Sequence, residues 1–171
     1  LASCAPEFRH FEWGLLQRLC RLSLVDYRSD APIETLAIAP DDAFLAAGLA
    51  DNTVLVWRPG VSATPLTLRG FPGDVQRLAF SPDGAELAVA LDEGGLEIRD
   101  PAVGRLLRTV DALERPTTLA YAPDGGFLVC GGADGEGSVV SRKNGAVTQR
   151  HSGHLDEVTA VAVHPAGRFF A

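Results

Sequence analysis

From Ile33 onward the chain alternates short apolar runs with polar turns rich in Pro, Asp and Gly, and the runs recur at a fixed interval. Four segments align: Ile33 to Asp42, Val75 to Gly84, Pro116 to Gly125 and Val158 to Gly167. Their prolines, Pro40, Pro82, Pro123 and Pro165, stand 42, 41 and 42 residues apart. A constant period of this size marks a repeat architecture, in which each unit buries its apolar faces against its neighbours. Every unit opens with a β-prone run, makes a Pro-Asp-Gly type turn, and continues with a second run such as Phe44–Ala47, Leu87–Ala90 or Phe127–Cys130. That pattern predicts a hairpin. A third run, Thr53–Trp57 or Leu96–Ile98, and a fourth, Leu66–Leu68 or Leu106–Val110, complete a four-stranded sheet. The first two strands are apolar on both faces, as strands between neighbouring sheets must be, and the fourth alternates where it meets water.

The residues before the repeats follow another period. Phe8, Phe11, Leu15, Leu19 and Leu22 are spaced by three or four, and Pro6 with Glu7 suits a first helical turn. The spacing predicts one amphipathic helix and divides the chain into a lead, 1–22, and a repeat region, 23–171. After the helix, Leu22 to Val25 reads as an outer strand that closes a ring by completing its last sheet; the alternative is a lead whose helix simply packs on the first sheet.

Composition narrows the function classes. A hydrophobic content of 46% with 22% charged residues belongs to a folded domain, and 18 glycines with 11 prolines suit an all-β chain that turns often. A net charge of −7 excludes general nucleic-acid binding, which draws its affinity from a basic surface. No apolar run is long enough to cross a bilayer, and no signal-peptide pattern opens the chain, so no membrane insertion by this segment is expected. Cys4, Cys20 and Cys130 have neither the count nor the spacing of a disulfide framework or zinc site. Free thiols in a reducing, cytoplasmic setting are expected. The chain starts at Leu1 and contains no methionine, which reads as part of a longer protein.

These repeats resemble the WD-repeat family, whose four-stranded blades surround a central channel. The resemblance rests on the repeated Pro-Asp-Gly hairpins, on Asp51 and Trp57 of the first unit, on Asp134 of the third and on the Gly153-His154 pair before the fourth. It implies a network of His, turn Asp and Trp within one blade, although no unit here keeps all three. The second unit has Arg99-Asp100 where Trp-Asp is expected, with Asp92 displaced by one residue. The fold class expected is all-β: a partial WD-repeat β-propeller of about three and a half blades with a short N-terminal helix. A propeller needs roughly four to eight blades to close, so further blades beyond Ala171, or self-association, are expected to cover the open faces. The lead from Cys4 to Cys20 is similar to the segment preceding propellers in bacterial multidomain proteins, many with a serine/threonine protein kinase domain.

Catalytic motifs are missing from the sequence. The only lysine, Lys143, is in no kinase context, and Gly131 to Gly137 fits neither a dinucleotide fingerprint nor a Walker loop. His151 and His154 with Asp156 lack a third sequence-adjacent His or Cys, so no metal is expected. Ser81, Ser138 and Ser152 have no nucleophile elbow. No cofactor is expected either. A propeller hydrolase or quinone-dependent dehydrogenase would need polar channel residues, whereas Ala37, Ala79, Ala120 and Ala162 stand there in register. The remaining readings are an interaction scaffold and a purely structural array.

Strand order assigns the turns to two rims. The connections after second and fourth strands collect Asp26, Asp30, Asp51, Asp74, Asp92, Glu93, Asp111, Glu114, Asp134, Glu136, Asp156 and Glu157 against few arginines, such as Arg28, Arg69, Arg115 and Arg150. The other rim mixes Asp41, Asp42, Asp83 and Glu86 with Arg58, Arg99, Arg105, Arg142 and Lys143. The first is therefore acidic, and a protein or peptide partner with a basic surface is expected there. Glu34, Gln76, Arg77, Thr117 and Thr159, polar residues at the starts of first strands, are the candidate contacts; internally satisfied rim residues are the alternative.

Overall fold

The computed structural model describes Ser29 and residues 31–62, 64–93, 95–111, 113–167, 170 and 171. Twelve strands form three four-stranded antiparallel sheets. The first contains β1 (Ile33–Ile38), β2 (Leu45–Leu49), β3 (Val54–Trp57) and β4 (Leu66–Leu68). The second contains β5 (Val75–Phe80), β6 (Leu87–Leu91), β7 (Leu96–Arg99) and β8 (Leu106–Val110). The third contains β9 (Pro116–Tyr121), β10 (Phe127–Gly132), β11 (Gly137–Ser141) and β12 (Val147–His151). Strands pair in sequence order in every sheet, as consecutive hairpins require. These are the expected blades. The predicted helix over 6–22 and the candidate strand 22–25 lie outside the described residues.

Local chemistry explains the repeated turns. In the first-to-second strand turns, Asp41, Asp83 and Asp124 each accept the backbone N–H two residues on, from Ala43, Ala85 and Gly126 at 3.1, 3.2 and 2.9 Å. Such side-chain bonds fix a turn without help from the rest of the fold. Asp42 takes the left-handed position that Gly84 and Gly125 fill in the next two blades, a conformation that short polar side chains tolerate.

The core lies between blades rather than within one. In β6 the sequence Leu-Ala-Val-Ala-Leu is wholly buried. Leu87, Val89 and Leu91 pack with Val54, Val56 and Phe80 in the cluster shared with the first blade. Ala88 and Ala90 face the other way, into a cluster with Leu128, Cys130 and Val140 of the third. Alternation thus sends large side chains to one neighbour and small ones to the other, where bulkier residues fill the space. Each fully buried leucine contributes about 1.5–3 kcal/mol of hydrophobic stabilisation.

The fourth unit departs from the expected pair of strands. It holds one isolated bridge, Val163 to Phe170, and two backbone bonds between Ala162 and Ala171 at 2.8 and 3.0 Å. Most of this segment is exposed, so little burial holds it to a ladder. At the opposite end of the array, Leu36 and Ile38 of β1 are 60% and 66% exposed.

Candidate functional site

Backbone bonds between connections define the upper rim. Ala50, Asp92 and Ala133 donate their N–H groups to the carbonyls of Pro32, Asp74 and Arg115 at 2.9, 3.0 and 3.1 Å. Each bond ties the turn after a second strand to the segment entering the same blade. Gly135 is needed for this packing between blades: it has φ +79°, and a Cβ there would lie 2.7 Å from the His154 carbonyl oxygen. Gly95 has φ +71°, and its Cβ would collide with the Val110 carbonyl.

The repeat aspartates are absorbed locally. Asp51 accepts the Thr53 N–H at 3.1 Å, and Asp134 accepts that of Glu136 at 3.0 Å. Asp92 instead accepts the Asp74 N–H at 2.6 Å, which is what its one-residue displacement permits. Trp57 is buried with Leu49 and Leu55, while His154 is exposed. Among the described residues no hydrogen bond joins the side chains of Asp134 and His154.

Of the five candidate contacts, the fold brings three together. Glu34, Gln76 and Arg77 line a depression of about 180 Å³ where the first blade meets the second, with Asn52 and Asp74 also on its wall. Leu49 and Val75 supply its apolar lining. Glu34 and Arg77 are exposed and Gln76 is half-buried. Arg77 Nη1 donates to the Gln76 carbonyl at 2.8 Å, which folds it along its own strand. Thr117 lies elsewhere and is engaged: its hydroxyl is shared between the carbonyls of Gly131, at 3.1 Å, and Val158, at 2.7 Å. Thr159 is exposed in the fourth unit.

The lower rim holds a cluster that sequence reasoning missed. Arg108 Nη2 donates to Glu86 Oε1 at 2.5 Å, and Arg142 Nε to Glu86 Oε2 at 3.0 Å. The Tyr121 hydroxyl is 3.4 Å from the same Oε2. Arg142 Nη2 also reaches both oxygens of Asp83, at 2.9 and 2.8 Å, and the Ser81 hydroxyl donates to Asp83 at 2.6 Å. The Ser81 bond, aided by Arg142 and the Ala85 N–H against the opposing effect of burial, holds the Asp83 carboxyl down at about 2. Burial opposes the charge on Arg142, but its bonds to Asp83 and Glu86 prevail and raise its pKa. Tyr121 is raised chiefly by burial, with the Glu86 charge adding to it. A sequence signal for this cluster exists: Glu86 stands at the repeat position that Phe44 and Phe127 occupy in the blades beside it.

The two rims therefore differ in how charge is used. On the lower rim Arg142 of the third blade pairs with Asp83 and Glu86 of the second, Arg108 pairs with Glu86 within the second, and Arg58, Arg105 and Lys143 are exposed. Of the ion pairs between described residues, one lies on the upper rim, Arg150 to Glu136 at 3.3 Å. Asp51, Asp74, Glu93, Asp111, Glu114, Asp134, Asp156 and Glu157 are exposed there. Cys130 is a free, buried thiol whose pKa burial pushes up to about 12, so it stays protonated and unreactive at neutral pH. No group of three or more metal-ligating side chains occurs among the described residues, and no helix among them is long and apolar enough to cross a membrane.

Three strand-paired blades, stacked through their inner strands and joined by capped turns, define a β-propeller segment. The family model described as WD domain, G-beta repeat, matches residues 20–58, 104–136 and 145–171, more than half of the chain, and the chain belongs to that family. It is similar to a chromatin assembly factor 1 subunit FAS2 homolog of Oryza sativa subsp. japonica, with 28% identity over 86% of this chain and 32% of that protein. An uncharacterised WD repeat-containing protein of Synechocystis shares 29% identity over 81% of this chain and 40% of its own length. Among solved structures, that of U3-55K superposes with a TM-score of 0.72 at 21% identity, covering 79% of this chain and 43% of that one. The chain spans about a third to a half of the length of the curated relatives it matches.

Proposed function

We propose that this chain is a protein-interaction module whose acidic upper rim docks a basic segment of a partner protein. One observation carries the reading: eight upper-rim carboxylates face solvent, whereas on the lower rim Arg142 and Arg108 are held by Asp83 and Glu86 and the acidic groups are offset by the exposed Arg58, Arg105 and Lys143. Clustered charge of one sign raises the encounter rate with the opposite sign and selects against acidic partners. The module is not itself an enzyme in this reading. Its open faces, marked by Leu36 and Ile38 at one end and by an open depression of about 380 Å³ bordered by Phe127, Val139 and Phe170 at the other, are covered by further blades or by a second copy. The lead over Cys4 to Cys20 supports attachment to a bacterial serine/threonine kinase, and the free Cys130 suits a cytoplasmic setting.

The test uses the full chain and a variant with four exposed rim carboxylates neutralised: Glu93→Gln, Asp111→Asn, Glu114→Gln and Glu157→Gln. An arginine-rich peptide titrated by calorimetry is expected to bind the parent chain, to weaken as salt rises, and to bind the variant about tenfold or more weakly. Binding that ignores both salt and the substitutions overturns the proposal.

A further inference from the structure

The depression between the first two blades has a chemistry that its counterpart does not share. At the junction of the third blade with the fourth unit, Thr117 donates its hydroxyl to the Val158 carbonyl and stitches the two together. Glu34 holds the Thr117 position in the first blade, and Val75 holds that of Val158. An ionised carboxylate has no proton to give, so Glu34 cannot donate across this junction as Thr117 does. What remains is a depression of about 180 Å³ whose polar wall carries the carboxylates of Glu34 and Asp74, the side-chain amides of Asn52 and Gln76, and Arg77. Its size falls below the roughly 300–1,000 Å³ of small-molecule sites and is on the scale of one long side chain.

Resting on the interaction reading above, we propose that this depression is a receptor for a single arginine side chain of the docked partner. Guanidinium has five donors in a plane and no acceptor, so it can reach two separated carboxylates and the amide carbonyl groups between them better than the compact ammonium of lysine. Leu49 and Val75 provide apolar surface for its methylene stem. Arg77 is the one like charge on the wall, and its bond to the Gln76 carbonyl holds it along its own strand. Glu34 is then the principal charged contact, and Arg77 a residue that limits affinity.

The test follows amide shifts of the full chain during titration with three acetylated, amidated Gly-X-Gly peptides, X being arginine, lysine or citrulline. The arginine peptide is expected to move the amides of Asn52, Asp74 and Gln76, the lysine peptide to bind more weakly, and the uncharged citrulline peptide not to bind. Glu34→Gln, which keeps the shape and places a donor at the junction, is expected to weaken arginine binding about tenfold. Its thermal midpoint should stay unchanged, because Glu34 is exposed. Arg77→Gln is expected to tighten binding. Shifts confined to other parts of the acidic rim, or an unchanged affinity in Glu34→Gln, overturn the receptor while leaving the acidic-rim reading intact. Equal binding of the arginine and citrulline peptides overturns the receptor as well, and failure of every cationic peptide to bind anywhere overturns both.

Discussion

Glu86 and Glu34 occupy opposite rims and opposite circumstances. Glu86 is held by Arg108, Arg142 and Tyr121, with its side chain 12% exposed, and it links the second blade to the third. Glu34 lines an open depression between the first blade and the second. Both lie in the same repeat framework of capped turns. The comparison teaches that the framework does not decide what a charge is for; the partners supplied by the adjoining blade do. Where arginines converge, a carboxylate holds blades together; Glu34, which no arginine clamps in this way, stays exposed on the wall of a depression.

The largest expected effect falls on the lower rim. Glu86→Ala leaves two arginines without their shared partner in a half-buried place, a loss of about 2–4 kcal/mol in urea denaturation. Glu34→Ala, measured beside it, stays within about 0.5 kcal/mol. Equal losses would erase the contrast between the rims.

Acid sharpens the same contrast. The folded pKa of Asp83, about 2, is below its ordinary 3.8, so the carboxylate favours folding fully above about pH 4 and loses that contribution as pH falls toward 2. Stability of the parent chain should therefore drop more steeply across that window than stability of Asp83→Asn. An NMR midpoint near 3.8 for the Asp83 carboxyl would dismiss the clamp by Ser81 and Arg142.

A smaller effect is expected from Thr117→Val, which removes one neutral hydrogen bond between blades and costs about 0.5–1.5 kcal/mol. It should leave arginine-peptide binding untouched, since Thr117 is not on the wall of the depression. A change in that affinity would move the candidate contact back to Thr117.

Legibility followed the range of the interactions. The hairpins, the aspartate-capped turns and the sorting of loops to two rims rest on neighbours within a few residues, and the strands form at the positions their periodicity predicts. The fourth unit was less legible, because its apolar pattern suits two strands, whereas among the described residues it forms the Val163–Phe170 bridge and no named strand. Among the contact candidates, strand position alone could not separate Thr117 from Glu34, although one is engaged with a neighbouring carbonyl and the other lines a depression.

By itself the sequence determined the all-β class, the repeat, the blade boundaries and the acidic excess, since period-two alternation and turn chemistry are written locally. Tertiary structure decided which charges are spent and which are offered. Glu86 meets Arg108, Tyr121 and Arg142 at separations of 22, 35 and 56 residues, and no pattern within one repeat specifies such partners. Only the stacking of one blade on the next brings those atoms within hydrogen-bonding distance, and only it leaves the Glu34 depression open.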